Sequence, residues 1–481
     1  MLVLDPDSAE PLYRQVRRAL ELSIADGGFR GGRLPSSREL AAELGVSRNT
    51  VGLAYQELVA DGVVIAQPRS GFVVNAELTA RRPAPDHGGA EPRWLERLVP
   101  PPGVGALPHI RKPADWDGYP YPFLTGHLPA GSFPERAWLH CLREALRPEH
   151  RRHSLQDAID ADDPLLVEAV CREILPRRGV AAAPDRVLIT LGSQQGLHLV
   201  ASALVTQGSP VAVENPGYPD ARHILARAGA RLVAADVDAE GLVLDGRVLA
   251  ADMIVTTPTH HYPSNVTMSG RRRQRLVAAA RERGIVVVED DYDSELRYVG
   301  RASPALASLD PGAVVHLGSF SKFLSPGLRL GFVAGPPALI EHLRDLRRYM
   351  VRHPPGHQQR ALALLIASGD YRKGVRQLRR DLRLRWDLTA TAVARHLPAW
   401  TVQPRSGGVS LWIGAPGGLD TRVLAERLRP RGVLIEPGGT FFLPAGGAEP
   451  PQNWIKLGFG AMDPARIDEG VARIAAESAL M

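Results

Sequence analysis

The chain has 481 residues, 44% of them hydrophobic, and a formal net charge of +6, which fits a globular protein of two or three domains. It contains no apolar run of about eighteen residues and no basic segment followed by an apolar core, so we expect neither a transmembrane helix nor a signal peptide but a cytoplasmic protein. Its two cysteines lack a His or Cys partner at ligand spacing, which excludes a disulfide framework and predicts no metal site.

The first predicted elements are three short helices. Hydrophobic residues recur at four-residue steps over residues 11–24, which indicates an amphipathic helix. A second helix is predicted to begin after Ser36, because Ser36 and Glu39 have the spacing of a capping box. It ends at Gly45, where a tight turn needs left-handed backbone. Residues 48–60 predict a third helix, whose buried face would be Val51, Ala54, Tyr55 and Leu58.

The second and third helices together predict a helix-turn-helix, whose second helix enters the major groove of DNA through its N-terminal residues. Arginine and asparagine at that position can make bidentate contacts to guanine and adenine. Two predicted strands, 63–67 and 72–74, would form a wing whose Arg69 and Gly71 could reach a minor groove or phosphates. The residues at the start of the third helix are Ser47, Arg48, Asn49 and Thr50.

Residues 1–75 carry eight arginines against nine carboxylates, so DNA contacts there must come from the placement of charges. The segments LPSSRELA (34–41), VSRNTV (46–51) and SGFV (70–73) resemble the winged helices of the GntR family. The alternative is a small helical interaction module with ordinary surface arginines. The resemblance implies a DNA-binding domain over residues 1–75, with contacts from Arg38, Arg48, Asn49, Thr50, Ser70 and Gly71.

Residues 76–120 contain nine prolines and five glycines without sustained periodicity, which predicts a semi-extended linker. From about residue 121, strand patterns alternate with helix patterns, which is typical of an α/β domain. A predicted strand at 187–190 leads into a glycine-flanked turn where a helix begins. Ser193 and Gln194 at this turn would offer N–H groups to a phosphate.

Polar side chains directly follow two apolar runs, 285–288 and 314–317, that predict buried strands. Because the carboxyl ends of parallel strands share one crevice, we expect these side chains to lie together. They are the groups that pyridoxal 5′-phosphate (PLP) requires: an amine for a Schiff base, a carboxylate for the ring nitrogen, a phenol, and an arginine with hydroxyls for the phosphate. The alternative is an acidic loop beside a surface lysine. The residues concerned are Asp290, Tyr292, Ser319, Lys322 and Arg329.

The segments DDYDSELRY (290–298), SFSK (319–322) and LRLG (328–331) resemble the MocR family, in which a GntR-type winged helix-turn-helix is fused to a fold-type I aminotransferase-like domain. This resemblance implies PLP as cofactor and an α/β domain over residues 121–481 that ends in a smaller α+β subdomain. It implies that Lys322 forms the Schiff base, that Asp290 meets the ring nitrogen and that Tyr292 meets the ring 3-oxygen. It also implies that Ser319 and Arg329 bind the phosphate and that Tyr218 lies against the ring face.

Two features depart from fold-type I aminotransferases. Lys456, in the segment 454–459, stands where those enzymes usually bind the substrate carboxylate with arginine, and a lysine lacks the bidentate fork. The segment 157–167 contains no tyrosine, although a tyrosine of the partner chain normally completes the cofactor site from this region. We therefore expect PLP to bind and efficient transamination to be absent.

Three functions remain open from the sequence. The first is a transcriptional regulator that binds double-stranded operator DNA as a head-to-tail homodimer and senses PLP or its adduct with a small amine or amino acid. The second is an active PLP-dependent aminotransferase with a DNA-binding appendage. The third is a DNA-binding dimer whose large domain has lost the cofactor and serves as a scaffold. Absorbance of bound PLP separates the third from the first two, and single-turnover assays separate the first from the second.

Overall fold

The computed structural model describes residues 4–5, 8–29, 32–68, 71–75, 93–98, 107–110, 112–129, 131–298, 303–403, 407–444 and 449–481. The chain divides into two compact units, Met1–Val99 and Pro100–Met481. The predicted domain boundaries after residues 75 and 120 stay a prediction. Within the described ranges, every helix is too short or too polar to span a lipid bilayer.

The first unit is a three-helix domain followed by a β hairpin. Its second helix has the predicted capping box: the N–H of Glu39 donates to Ser36 Oγ (3.2 Å), and the N–H of Ser36 donates to Glu39 Oε2 (2.8 Å). Gly45 ends this helix with a φ of 65°, in the left-handed region that glycine favours. The elements are α1 (Leu12–Ala25), α2 (Ser37–Leu44), α3 (Arg48–Ala60), β1 (Val64–Gln67) and β2 (Gly71–Val74).

An apolar cluster joins α1, α2, α3 and β1. Tyr55, on the predicted buried face of α3, is fully buried and donates its hydroxyl to the carbonyl of Pro35 (2.7 Å). Leu12, at one end of the periodic hydrophobic residues, is 46% exposed, and Gln15 is buried in the first helix instead. The Gln15 side chain accepts the N–H of Asp5 and donates to the carbonyl of Glu10, so its burial leaves neither polar group unpaired.

An eight-stranded mixed sheet lies at the centre of the second unit. The predicted strands at 187–190, 285–288 and 314–317 all belong to it. After the short strand β3 (Tyr121–Pro122), the sheet is built from β4 (Val187–Thr190), β5 (Pro210–Asn215), β6 (Arg231–Asp238), β7 (Gly241–Leu242), β8 (Met253–Thr256), β9 (Val286–Asp291), β10 (Val314–Ser319) and β11 (Gly331–Ala334). Their order is β4-β11-β10-β9-β8-β5-β6-β7.

Two sheets of different size give this unit its large and small parts. The smaller sheet has the order β12-β13-β16-β15, with strands β12 (Thr401–Val402), β13 (Ser410–Gly414), β15 (Glu436–Pro437) and β16 (Trp454–Gly458), whereas β14 (Val433–Leu434) pairs with β3. The helices are α4 (Glu135–Glu144), α5 (Pro148–Leu155), α6 (Pro164–Ala169), α7 (Ser193–Leu204), α8 (Pro219–Arg227), α9 (Gly270–Arg283), α10 (Pro337–Val351), α11 (Gly356–Ala367), α12 (Asp370–His396), α13 (Thr421–Leu428) and α14 (Ile467–Ser478).

The directions of the strands bring the predicted site residues to one edge of the large sheet. Strands β5, β8, β9 and β10 pair in parallel, and β11 runs antiparallel between β10 and β4, so β4 shares their direction. Their carboxyl ends therefore meet at one edge, where β11 begins. Side chains that follow these ends come from distant parts of the chain but lie within reach of one ligand. This is the predicted α/β architecture with a smaller subdomain.

Candidate functional site

A cavity of about 400 Å³ lies at the edge of the large sheet where the parallel strands end. A larger cavity of about 580 Å³, around Asp162 and Arg344, has none of the predicted cofactor residues in its described lining. The predicted residues that line the 400 Å³ cavity are Ser193, Tyr218, Asp290, Tyr292 and Lys322. Sequence reasoning did not assign Ile110, Lys112, Thr125, Gly126, Asp220, Thr257 and Tyr262, which complete its described lining.

Two adjacent carboxylates end β9, and the structure gives them different partners. Asp291 forms an ion pair with buried Arg178 (2.7 Å). Burial alone would raise the pKa of Asp291, but the charges of Arg178 and His316, together with hydrogen bonds, lower it. Asp290 lines the cavity, and its Oδ1 atom has no hydrogen-bond partner among the described residues. Burial and the charge of Asp291 raise the pKa of Asp290 to about 7, against an opposing hydrogen bond from Ser193. Asp290 is therefore a carboxyl without a strong cationic partner, as a site for a protonated ring nitrogen requires.

Lys322 follows β10 and places its amine in the wall of the same cavity. Burial lowers the pKa of Lys322, and the positive charge of nearby Lys112 lowers it further. The carboxylates of Asp293, Glu436 and Asp290 oppose this shift. A lysine with a lowered pKa is more often the neutral amine that attacks a carbonyl. The environment of Lys322 therefore favours formation of a Schiff base.

Three tyrosine rings form a large part of the described wall. Tyr218 donates its hydroxyl to Asp220 Oδ2 (2.9 Å), and Tyr292 donates to the carbonyl of His260 (3.2 Å). The ring of Tyr262 lies edge-on to both, with centroid distances of 5.3 Å to Tyr218 and 5.9 Å to Tyr292. Edge-to-face packing of this kind fixes the orientation of each ring. The site thus presents a rigid aromatic wall beside Asp290 and Lys322.

The predicted phosphate residues lie around the start of α7. Arg329 donates to the carbonyl of Leu191 (3.0 Å) and adopts a left-handed backbone with a φ of 48°. Its guanidinium is so close to Gly192 that an added Cβ there would lie 3.3 Å from Nη2. The N–H of Ser321 donates to Ser319 Oγ (3.2 Å), whereas Ser321 Oγ is buried without a partner among the described residues.

These groups fit PLP. The first turn of α7, where Ser193 lines the cavity and Gln194 is exposed, offers backbone N–H groups and a positive helix end to a phosphate. Arg329 and the unpaired Ser321 hydroxyl can add further donors. The unpaired oxygen of Asp290 can meet the ring nitrogen, and the amine of Lys322 can meet the aldehyde carbon. The ring 3-oxygen would be met by a tyrosine of the wall.

Lys456, the predicted substrate-binding residue, lies behind the described wall of the cavity. Its amine is 3.2 Å from the centroid of the Tyr262 ring, and the residue is only 2% exposed. Burial lowers the pKa of Lys456 well below its ordinary value, although the carboxylate of Glu436 opposes this shift. Lys112, unlike Lys456, lines the cavity, and its amine pairs with Glu436 Oε1 (3.1 Å).

The two histidines that follow β8 have structural partners. His260 Nδ1 lies 2.9 Å from Asp293 Oδ1, and His261 Nδ1 lies 2.6 Å from the hydroxyl of Ser264. Both histidines are buried. Over the part of the chain that the structure describes, no group of three or more His, Cys, Asp or Glu side chains is arranged to hold a metal ion.

The predicted DNA-reading residues lie at the exposed start of α3. Ser47 caps the helix by accepting the N–H of Thr50 (3.1 Å), and the hydroxyls of Ser47 and Thr50 lie 2.8 Å apart. Both hydroxyls therefore stabilise the start of the helix. Arg48, Asn49 and Arg38 are exposed, and Arg48 Nε donates to Ser37 Oγ (3.3 Å). In the wing, Gly71 is exposed with a φ of 89°, whereas Arg69 and Ser70 lie outside the described residues.

Comparison with known proteins matches both units to families. The family "Bacterial regulatory proteins, gntR family" matches residues 12–74, and "Aminotransferase class I and II" matches residues 131–474. The HTH-type transcriptional regulator TauR of Rhodobacter capsulatus is 44% identical over 98% of this chain and 97% of its own length. The probable rhizopine catabolism regulatory protein MocR of Rhizobium meliloti is 32% identical over 98% of this chain and 94% of its own.

Solved structures of aminotransferases share the fold of the second unit. The α-aminoadipate aminotransferase LysN of Thermus thermophilus, solved with N-(5′-phosphopyridoxyl)-L-leucine, aligns with a TM-score of 0.71 and 29% identity over 81% of this chain and all of its own. The Pyrococcus horikoshii kynurenine aminotransferase aligns with a TM-score of 0.71 and 25% identity over 80% of this chain and 98% of its own.

The fold and the cavity define a protein in which a winged helix-turn-helix is joined to a fold-type I aminotransferase domain. The relatives that combine both units over nearly their whole lengths are named as transcriptional regulators. The chain belongs to the MocR family of GntR-type transcriptional regulators.

Proposed function

We propose that this regulator holds PLP in the 400 Å³ cavity through Lys322 and uses PLP, or its combination with a small amine or amino acid, as the signal that changes DNA binding. The observation that carries the proposal is that one cavity is lined both by Lys322, whose pKa is lowered, and by Asp290, whose Oδ1 atom has no partner among the described residues. A buried carboxyl of this kind is costly unless a cation meets it. The protonated ring nitrogen of PLP is such a cation.

The remaining residues of the site would position the cofactor. When bound, PLP supplies an electron sink to an amine that is attached to its aldehyde carbon. Tyr292 would meet the ring 3-oxygen, and Tyr218 would cover one face of the ring. The phosphate would be held by Ser193, Gln194, Ser319 and Arg329, with N–H groups from the first turn of α7.

DNA would be read by the first unit. Arg48 and Asn49 are exposed at the start of α3, where a recognition helix meets base edges, and Arg38 is exposed on α2. Ser47 and Thr50 would contact DNA through groups not used in the cap. Arg69, Ser70 and Gly71 of the wing would contact phosphates or a minor groove. Together these contacts would give a mixture of sequence-specific and sequence-independent affinity for an operator.

A homodimer, which we propose to be head-to-tail, would bring two readers to paired half-sites. Support comes from an apolar surface where the end of α10 meets the segment after α5. Ion pairing of Arg352 with Asp157 joins these segments. Groups of exposed apolar residues are typical of protein interfaces. The exposed apolar residues are Leu155, Ile159, Tyr349, Met350 and Val351.

A working aminotransferase is the second candidate, and the retention of Lys322 and Asp290 favours it. Lys456 argues against it, because its amine lies over the Tyr262 ring and cannot supply the arginine fork that orients a carboxylate. Small misplacements of a substrate cost heavily in rate. We therefore place regulation first and residual transamination second.

The experiment that tests the cofactor assignment is absorbance of the purified full-length protein. Wild type should show the visible band of PLP bound to a lysine, and Lys322→Ala should lose it. Exposed Lys373 provides the matched control, since Lys373→Ala should keep the band. Borohydride reduction followed by peptide mass spectrometry should locate the label on Lys322. A label on another lysine, or a wild-type protein that takes up no PLP, would overturn the proposal.

A further inference from the structure

The segment just before β3 contributes to the wall of the cavity, although it belongs to the stretch predicted as a linker. The carbonyl of Pro108 is 3.0 Å from Nε2 of His223 on α8, and Ile110 and Lys112 line the cavity. Leu107 packs against the apolar cluster beneath this segment. The residues that precede β3 are thus part of the second unit, and two of them face the space where a ligand would bind.

Two contacts hold the Lys112 amine in place. Its amine donates to the carbonyl of Thr125 and lies 3.1 Å from Glu436 Oε1. The Thr125 hydroxyl lies 2.9 Å from the other oxygen of Glu436. A Cβ at Gly126 would approach the Lys112 amine to 3.3 Å, so the absence of a side chain there leaves room for the amine. The position of the amine is therefore set before a ligand arrives, which lowers the entropic cost of binding.

The carboxylate of Glu436 interacts electrostatically with two lysine amines. Lys112 and Lys456 both lower the pKa of Glu436, so one carboxylate serves two amines. Lys456 is almost fully buried against Tyr262, whereas the Lys112 side chain is 27% exposed and lines the cavity. Of these two amines, Lys112 is the one that an anionic group in the cavity can reach.

We propose that Lys112 binds the acidic group of the effector, so that the cavity selects amines that carry a carboxylate or a similar oxyacid anion. This inference rests on the proposed function, in which an amine binds beside PLP. It transfers to Lys112 the role that the sequence predicts for Lys456. It also means that the effector would contact the segment that precedes β3.

The test compares amines that carry an acidic group with propylamine, which is 4-aminobutanoate without its carboxylate. Full-length protein carrying PLP is titrated with glycine, β-alanine, 4-aminobutanoate and propylamine, and the absorbance of the cofactor reports binding. Wild type should prefer at least one acid-bearing amine over propylamine. Lys112→Gln should weaken that amine about tenfold or more, as expected for loss of a charged hydrogen bond, and change propylamine less than about threefold. Lys112→Arg should retain most of the preference, and Lys373→Gln should retain all of it.

Loss of Lys112 also removes a partner of Glu436, which could disturb the fold. The double variant Lys112→Gln/Glu436→Gln removes both charges and should show the same selective loss. Amide exchange gives an independent readout: the preferred acid-bearing amine should protect peptides that span residues 107–115 in wild type but not in either variant.

Several outcomes separate the failure of this inference from failure of the proposed function. Equal weakening of all four amines, an unchanged preference in Lys112→Gln, or a wild type without preference would overturn the role of Lys112 while leaving PLP on Lys322. A Lys456→Gln variant that abolishes the preference while Lys112→Gln does not would return the role to Lys456. A wild type that takes up no PLP would overturn the proposed function itself.

Discussion

Replacing Asp290 with asparagine should stabilise the ligand-free protein at neutral and alkaline pH, although it removes the carboxylate that we propose for cofactor binding. In the folded chain the Oδ1 atom of Asp290 has no partner among the described residues, and burial with the charge of Asp291 raises its pKa from 3.8 to about 7. Asparagine has nearly the same shape and does not ionise. The variant therefore removes the cost of a buried charge without leaving a cavity.

The magnitude follows from the difference in pKa between the folded and unfolded states. Because the folded state holds the Asp290 proton more tightly, wild type gains stability from this group at low pH and loses it as the pH rises through about 7. Each unit of pKa difference corresponds to about 1.4 kcal/mol, so the total loss is at most about 4 kcal/mol. Between about pH 5 and about pH 8.5 the loss amounts to ~2–3 kcal/mol. The asparagine variant has no such loss.

The assay is urea unfolding of PLP-free wild type and Asp290→Asn at a series of pH values, followed by tryptophan fluorescence. Apart from Trp94, all tryptophans lie between residues 116 and 454, so the signal reports the second unit. The free energy of unfolding of the variant should exceed that of wild type by an amount that grows up to about pH 7 and then stays constant. A difference that does not change with pH would refute the reasoning, because Asp290 would then ionise normally. Asp291→Asn is the matched control and should destabilise the protein, since it leaves buried Arg178 without its carboxylate.

Two further predictions concern DNA reading and catalysis. Arg48→Ala should reduce discrimination between the natural operator and scrambled DNA by ~1–3 kcal/mol, whereas Arg69→Ala should weaken both complexes alike. Fluorescence anisotropy measures both, and equal losses for Arg48→Ala would make it a phosphate contact. Protein mixed with PLP, amino acids and a keto acid should turn over more slowly than about one per second, because Lys456 lacks the arginine fork. Sustained faster turnover, measured by product formation, would favour the aminotransferase.

Local signals were sufficient for much of the fold. The capping box at Ser36 and Glu39 and the left-handed glycine at Gly45 depend on neighbours within a few residues, so the sequence predicts them directly. The apolar runs of β9 and β10 are typical of strands covered on both faces. The burial of Gln15 in place of Leu12 was not predictable in this way, because it depends on two backbone groups that only the folded N-terminus brings to the helix.

The candidate site was predictable only where it follows strand ends. Asp290 and Lys322 come directly after apolar runs, and the topology of a parallel sheet brings such positions together. The residues themselves do not distinguish Asp290 from Asp291, and only the ion pair of Asp291 with Arg178 does so. Lys112 precedes the first strand of its unit in a stretch without periodicity. The one signal that could have found it is the scarcity of lysine, since the chain has only four.

The arrangement of amines suggests how recognition and reactivity are linked in this cavity. Lys112 pairs with the carboxylate of Glu436, whose pKa both Lys112 and Lys456 lower, and the charge of Lys112 adds to burial in lowering the pKa of Lys322. An anion bound at Lys112 would offset that charge and make protonation of a neighbouring amine easier. The same residue would therefore select the acidic effector and change the protonation of the lysine that holds the cofactor.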